Sequence, residues 1–337
     1  MDYILWGMLS RTVIRHSTPP STPAPMGRSL FSRLITFFLC TLLVISPPSL
    51  AKVAVNLSVE SRYEENIARV ASPTTALSDQ ILQTKIGVGS LWIRGNHSGF
   101  NLSASASYLD HLRYGGLDHL LFETSLRWRF KPDLAFSAPW YGVRFSLSHH
   151  NYPGSELRDG NGYDLEASGG KRLSDRILIR VGVGHSRFVP NDGAGVERSW
   201  LGSTQSSSVF KTETSRIFAG LDYRLWKATL YSQLTYQRGD LLSAMGYASP
   251  SVWGNPVTLS GLEQTLGHSQ AYFADDALPL VIYRLDGSAH IADVGFNYPV
   301  NRYLALDLML RVVESSAEND MDYSNRSAHL GLFYRWK

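Results

Sequence analysis

The chain has 337 residues, 44% of them apolar but only 18% charged, with 12% aromatics, 28 Gly and a single Cys. That much Tyr, Trp, Phe, Leu and Val excludes a disordered chain, and one Cys excludes a zinc ribbon, an iron–sulfur ligand set or a disulfide scaffold. The formal charge of +3 belongs to the first 51 residues, where Arg11, Arg15, Arg28 and Arg33 face only Asp2; the other bases and acids balance, which leaves no basic footprint for nucleic acid.

The first element is a leader. Residues 34–46 are an apolar run of 13, preceded by Arg28 and Arg33 and followed by Pro47-Pro48-Ser49-Leu50-Ala51. A positive flank, a short apolar stretch and a small-x-small exit predict a secretory signal peptide cut before Lys52. As a helix the run spans roughly 20 Å, too little for a bilayer core of about 30 Å. A signal beginning at Met26 has ordinary length, so residues 1–25 read as a mis-assigned start or an extended n-region. Cys40 lies inside the apolar run, and the chain after residue 51 has no Cys, which suits an oxidising compartment.

From residue 52 onward the recurring signal is period two, the mark of strands with one apolar face. Twelve strands are predicted near 53–63, 81–93, 100–110, 119–130, 140–151, 163–172, 176–188, 208–225, 227–238, 287–298, 303–313 and 325–336. In the third, Phe100, Leu102, Ala104, Ala106 and Tyr108 alternate with Asn101, Ser103, Ser105 and Ser107. In the last, Ala328, Leu330, Leu332, Tyr334 and Trp336 alternate with His329, Gly331 and Arg335. Short and long connections also alternate, the longest being Val189–Ser207 and Gly239–Asp286. The pattern predicts an all-β, transmembrane, up-and-down antiparallel β-barrel of about 12 strands, with short periplasmic turns and long extracellular loops.

Three further patterns agree. Every proline after residue 51 falls in a connection, as expected of a residue that cannot donate to a ladder. Aromatics on the apolar parity gather at the short-turn ends: Trp92, Trp128, Phe130, Tyr141, Tyr223, Phe296, Tyr298, Tyr334 and Trp336. Amphipathic rings settle at a membrane–water interface, so these read as one girdle. The opposite parity is polar with both signs of charge and gives the candidate lumen-lining set: Glu123, Arg127, Arg144, Asp164, Glu166, Arg180, Asp222, Asp293, Asp307 and Arg311. A soluble sandwich would alternate too, but needs no aromatics clustered at one end.

Two segments carry a resemblance. Tyr63-Glu64-Glu65-Asn66-Ile67-Ala68-Arg69 and the terminal Leu330-Gly331-Leu332-Phe333-Tyr334-Arg335-Trp336-Lys337 resemble Gram-negative outer-membrane β-barrels. The opening is similar to that of porin-like barrels, some associated with exopolysaccharide export. The closing aromatic strand resembles the signal read by the barrel-insertion machinery, except that Lys337 follows the last aromatic. The resemblance implies export to the outer membrane, contact with its lipid and lipopolysaccharide, and a small polar or saccharide solute.

Three functions compete. The first is a porin-like channel or binding barrel, in which Arg127, Arg129, Arg144, Arg180, Arg224 and Arg311 form one wall and acids another, or charges pair across strands. Loop 239–286, with Met245, Tyr247, Trp253, Tyr272 and Phe273, has the apolar content to fold inward as a constriction. The second is a non-conducting scaffold or adhesin acting through its loops. The third is a membrane-embedded lipid hydrolase using Ser146, Ser148, His149, His150 and Asn151, but strand parity sends His149 to the lipid side and Ser148 with His150 to the lumen. No Walker loop, HExxH or EF-hand motif is present, and no metal, cofactor or enzymatic activity is expected.

Overall fold

The computed structural model describes residues 52–67, 69, 76–94, 96–153, 156–191, 207–246, 269–272, 280–317 and 322–336. The expected leader, residues 1–51, lies outside these residues, as do 192–206 and most of 247–279. The strands are β1 (Lys52–Glu64), β2 (Asp79–Arg94), β3 (Ser98–His111), β4 (His119–Phe130), β5 (Trp140–Asn151), β6 (Gly160–Arg172) and β7 (Ile177–Pro190). They continue with β8 (Thr212–Leu225), β9 (Ala228–Gly246), β10 (Ser269–Tyr272), β11 (Leu280–Pro299), β12 (Leu304–Ala317) and β13 (Ser324–Trp336). Each pairs antiparallel with its chain neighbour, except that β9 pairs directly with β11. β1 closes on β13, from Val55 opposite Trp336 to Glu64 opposite Ser327. Twelve strands therefore form a closed up-and-down barrel, and β10 is a four-residue addition to the top of β11.

Several boundaries differ from those expected, the largest shifts lying at the end of β9 and the start of β11. The eighth strand starts at Thr212, because residues 207–210 form one turn of 3-10 helix with Val209 and Phe210 buried. The predicted loop 239–286 is shorter, since β9 runs on to Gly246 and β11 begins at Leu280. A Gly-Asp pair reads locally as a turn, but Gly239 adopts φ +128° inside the strand and lets the ladder continue.

Short turns are closed by side chains suited to them. The Ser174 hydroxyl accepts from the amides of Arg176 and Ile177, both at 3.2 Å, between β6 and β7. Asn301 accepts from the amides of Tyr303 and Leu304, at 2.8 and 2.9 Å, between β11 and β12. At the long-loop end, Asn66 of the opening motif stitches the first loop to the closing strand. Its amide donates to the side chain of Asn325 at 3.0 Å, and its side-chain nitrogen donates to the Ser324 carbonyl at 3.1 Å.

The apolar side chains point outward. Val53, Val59, Ile86, Val181, Val183, Ile217, Leu234, Val294 and Leu310 are all exposed, which only a lipid environment makes favourable at this density. The nine aromatics singled out above share the parity of these residues near the short-turn ends, and several face one another across the ladders, Phe100 lying between Trp92 and Trp128 and Phe130 opposite Tyr141. Tyr334 packs edge-on against Trp336 with centroids 4.3 Å apart. A small apolar core sits at the opposite end, where Leu157, Val209 and Phe210 from two loops meet Leu77, Phe188 and Leu242.

Candidate functional site

The face opposite the apolar one holds the candidate lumen residues, and most of them are ion-paired. Arg144 on β5 donates to Asp164 and Glu166 on β6, both at 3.1 Å. Arg216 on β8 reaches over β7 to the same two carboxylates, at 2.7 and 3.2 Å. It can do so because Gly184 lies beneath it; a Cβ there would be 2.7 Å from the guanidinium carbon. Arg180 donates to Asp222 at 2.8 Å, and Arg311 to Asp293 at 2.7 Å. Asp307 accepts from the Tyr231 hydroxyl at 2.6 Å and from Asn297 at 2.9 Å. Glu123 stands 3.8 Å from Lys85. Charges of opposite sign are thus neighbours, and the wall does not divide into a basic and an acidic side.

Cavities among the described residues line this face. One of about 410 Å³ at the short-turn half is bordered by Arg127, Arg129, Trp140, Arg144, Arg180 and Gln233, among others. Another, of about 540 Å³, lies among Glu60, Lys85, Ser103, Glu123 and Arg335. A third, of about 570 Å³, is a vestibule at the long-loop end between Arg62, His111, His119, His150, Tyr152 and Arg158. In the vestibule, His119 stacks on Tyr152 with centroids 4.3 Å apart, and His150 meets Phe188 edge-on at 5.3 Å. Tyr152, in the loop after β5, has its hydroxyl pKa pushed up by burial, so this ring stays neutral. Asp79 anchors the vestibule wall: it accepts from His111 Nδ1 and from the Arg113 amide, each at 3.0 Å.

The candidate hydrolytic residues do not assemble. His150 lines the vestibule, whereas His149 bonds Asn161 at 3.0 Å, and no hydrogen bond joins Ser148 to His150. A Ser–His pair that parity alone did not single out, Ser327 and His329 at 3.0 Å, lies on the inner face of β13. Among the described residues no carboxylate hydrogen-bonds its imidazole. Among those residues, too, no three His, Cys, Asp or Glu side chains converge as metal ligands.

Sequence reasoning missed Arg216, Trp140, Tyr231 and the vestibule residues other than His150, which parity sent to the lumen. For Arg216 the signal was present, since it shares the parity of Asp222 six residues on. The vestibule joins the ends of four strands, at Arg62, His111, His119 and His150, to the loop residues Tyr152 and Arg158, and loops carry no period.

No protein-family model matches the chain, and no curated protein matches it by sequence. An outer membrane channel from Pseudomonas putida F1 is similar in structure, with a TM-score of 0.51 and 10% identity over 87% of this chain and all of that one. The KdgM porin, solved with disordered oligogalacturonate, gives a TM-score of 0.39 and 11% identity over 83% of this chain and 99% of that one. The outer membrane phospholipase of Salmonella typhi gives 0.41 and 12% over 83% and 90%. At such identities the likeness concerns the fold.

Proposed function

We propose that this chain is a non-enzymatic outer-membrane conduit or binding barrel for small polar solutes, saccharides among them. The observation that carries the reading is the closed ring with a lipid-type exterior and a polar, cavity-bearing interior. Twelve strands lie between the side-chain-filled barrels of about 8 and the water-filled ones of 16 to 18, and cavities of 410 to 570 Å³ are of solute size. On this reading the aromatic girdle meets the inner interface, the upper rim meets lipopolysaccharide, and β13 is the strand presented to the insertion machinery.

Purified, refolded protein in a planar bilayer tests the proposal. Stepwise ionic current is the expected result. Silence from protein that still shows the heat-modifiable band shift of a folded barrel overturns the conduit and leaves a binding barrel or a loop-based scaffold.

A further inference from the structure

Among the described residues of the inner face, two neighbouring arginines lack the carboxylate partner that most of the others have. Around the 410 Å³ cavity, Arg144 and Arg216 share Asp164 and Glu166, and Arg180 has Asp222. Arg127 and Arg129 on β4 border the same cavity, and among the described residues neither has a carboxylate within 4 Å. Arg127 stands directly opposite Arg144 across the β4–β5 ladder, a placement of like charges that works against the sheet. Arg129 is flanked by the cations Arg127 and Arg172 and is held over the Trp140 ring at 4.1 Å. Gly170 makes room for that ring, since a Cβ there would be 2.8 Å from it.

The same cavity collects unused donors. The indole nitrogen of Trp140 and the Nε atoms of Arg144 and Arg180 are buried and have no protein acceptor. Buried donors are nearly always satisfied, so a group of them calls for an acceptor from outside. Guanidiniums match planar and tetrahedral oxyanions through paired N–H groups, and an aromatic face supports the adjoining apolar carbons.

We propose that Arg127, Arg129 and Trp140 form an oxyanion subsite that captures the carboxylate or phosphate of a small hydrophilic solute. This rests on the solute-handling reading above and adds the sign of the solute's charge. Excess positive charge in a low-dielectric cylinder concentrates anions, so the subsite favours their passage as well as their binding.

The full folded protein, refolded in detergent, is titrated with gluconate, glucose 6-phosphate and glucose by calorimetry, and then examined in a bilayer under a salt gradient. The two anions bind and glucose does not. Affinity falls as salt rises and drops at least about tenfold in the Arg127→Gln/Arg129→Gln double variant, a loss equal to one charge-assisted hydrogen bond. Trp140→Phe, which keeps the platform but removes the N–H, weakens binding less than the double variant does. Gluconate but not phosphate binding, or the reverse, identifies which oxyanion the subsite takes. Equal binding of glucose, or anion binding untouched by the double variant, overturns the subsite. In the bilayer, anion-selective current that loses its selectivity in the double variant supports it. Current without anion preference overturns the subsite but leaves the conduit standing. Silence with intact gluconate binding overturns the conduit alone.

Discussion

Arg216 shows what a single side chain does in such a wall. Its guanidinium crosses the backbone of β7 to reach two carboxylates on β6, and it is about one-fifth exposed. Replacing it with Gln leaves Asp164 and Glu166 sharing only Arg144. The cost is expected at about 1 to 3 kcal/mol, below that of a fully buried pair because the side chains of the cluster are partly exposed. Urea unfolding in lipid vesicles measures it; an unchanged midpoint means that the four-charge cluster does not contribute to stability. The notch beneath a large side chain is testable in the same way. A Cβ at Gly182 meets the Phe218 ring and lies 2.8 Å from the Ala167 carbonyl, so Gly182→Ala should lower the midpoint, by about 1 to 3 kcal/mol if Phe218 must leave its rotamer. Alternation showed that Arg144, Asp164 and Arg180 share one face. It could not show which acid each arginine chooses, because that choice depends on the stagger between strands and on glycines of the neighbouring strand, as Gly184 is for Arg216.

At the level of elements, strands were legible and loop-built structure was not. A strand repeats its signal every two residues, so Phe100 to Tyr108 declares both its conformation and its faces. β10 has four residues and no room for a period, and it forms only because β11 extends above β12 and offers an unpaired edge at Leu280–Tyr283. The vestibule likewise depends on Asp79, which is 1% exposed and binds His111 at the end of the paired strand β3 and the Arg113 amide in the loop after it. Asp79→Ala removes the acceptor of the buried His111 imidazole and of the Arg113 amide. The expected consequence is a local loss of about 1 to 3 kcal/mol, seen as faster amide hydrogen exchange at Arg113 than in the parent protein. Exchange in the middle of β3 should be unchanged, since ladder bonds there do not involve Asp79; a uniform increase across β2–β4 would mean that Asp79 holds the barrel wall itself.

For the whole molecule, closure comes from two seams. One joins β1 to β13 over ten residue pairs. The other joins β9 to β11 over eighteen, from Leu280 opposite Gly246 down to Asn297 opposite Thr229. Because Gly246 and Leu280 face each other across this second seam, the chain between them is not needed to complete the ring. Replacing residues 247–279 with a two-residue Asn-Gly hairpin turn should therefore leave a folded, heat-modifiable barrel, even though it removes β10. Loop closure becomes cheaper in the shortened chain, which favours folding slightly. Conductance then distinguishes the roles open to the segment. Current of unchanged size places its work outside the lumen, as a partner surface, and larger current shows that its apolar residues constrict the pore. A chain that no longer folds would show that β10 and its flanks, not the direct β9–β11 ladder, hold the seam together.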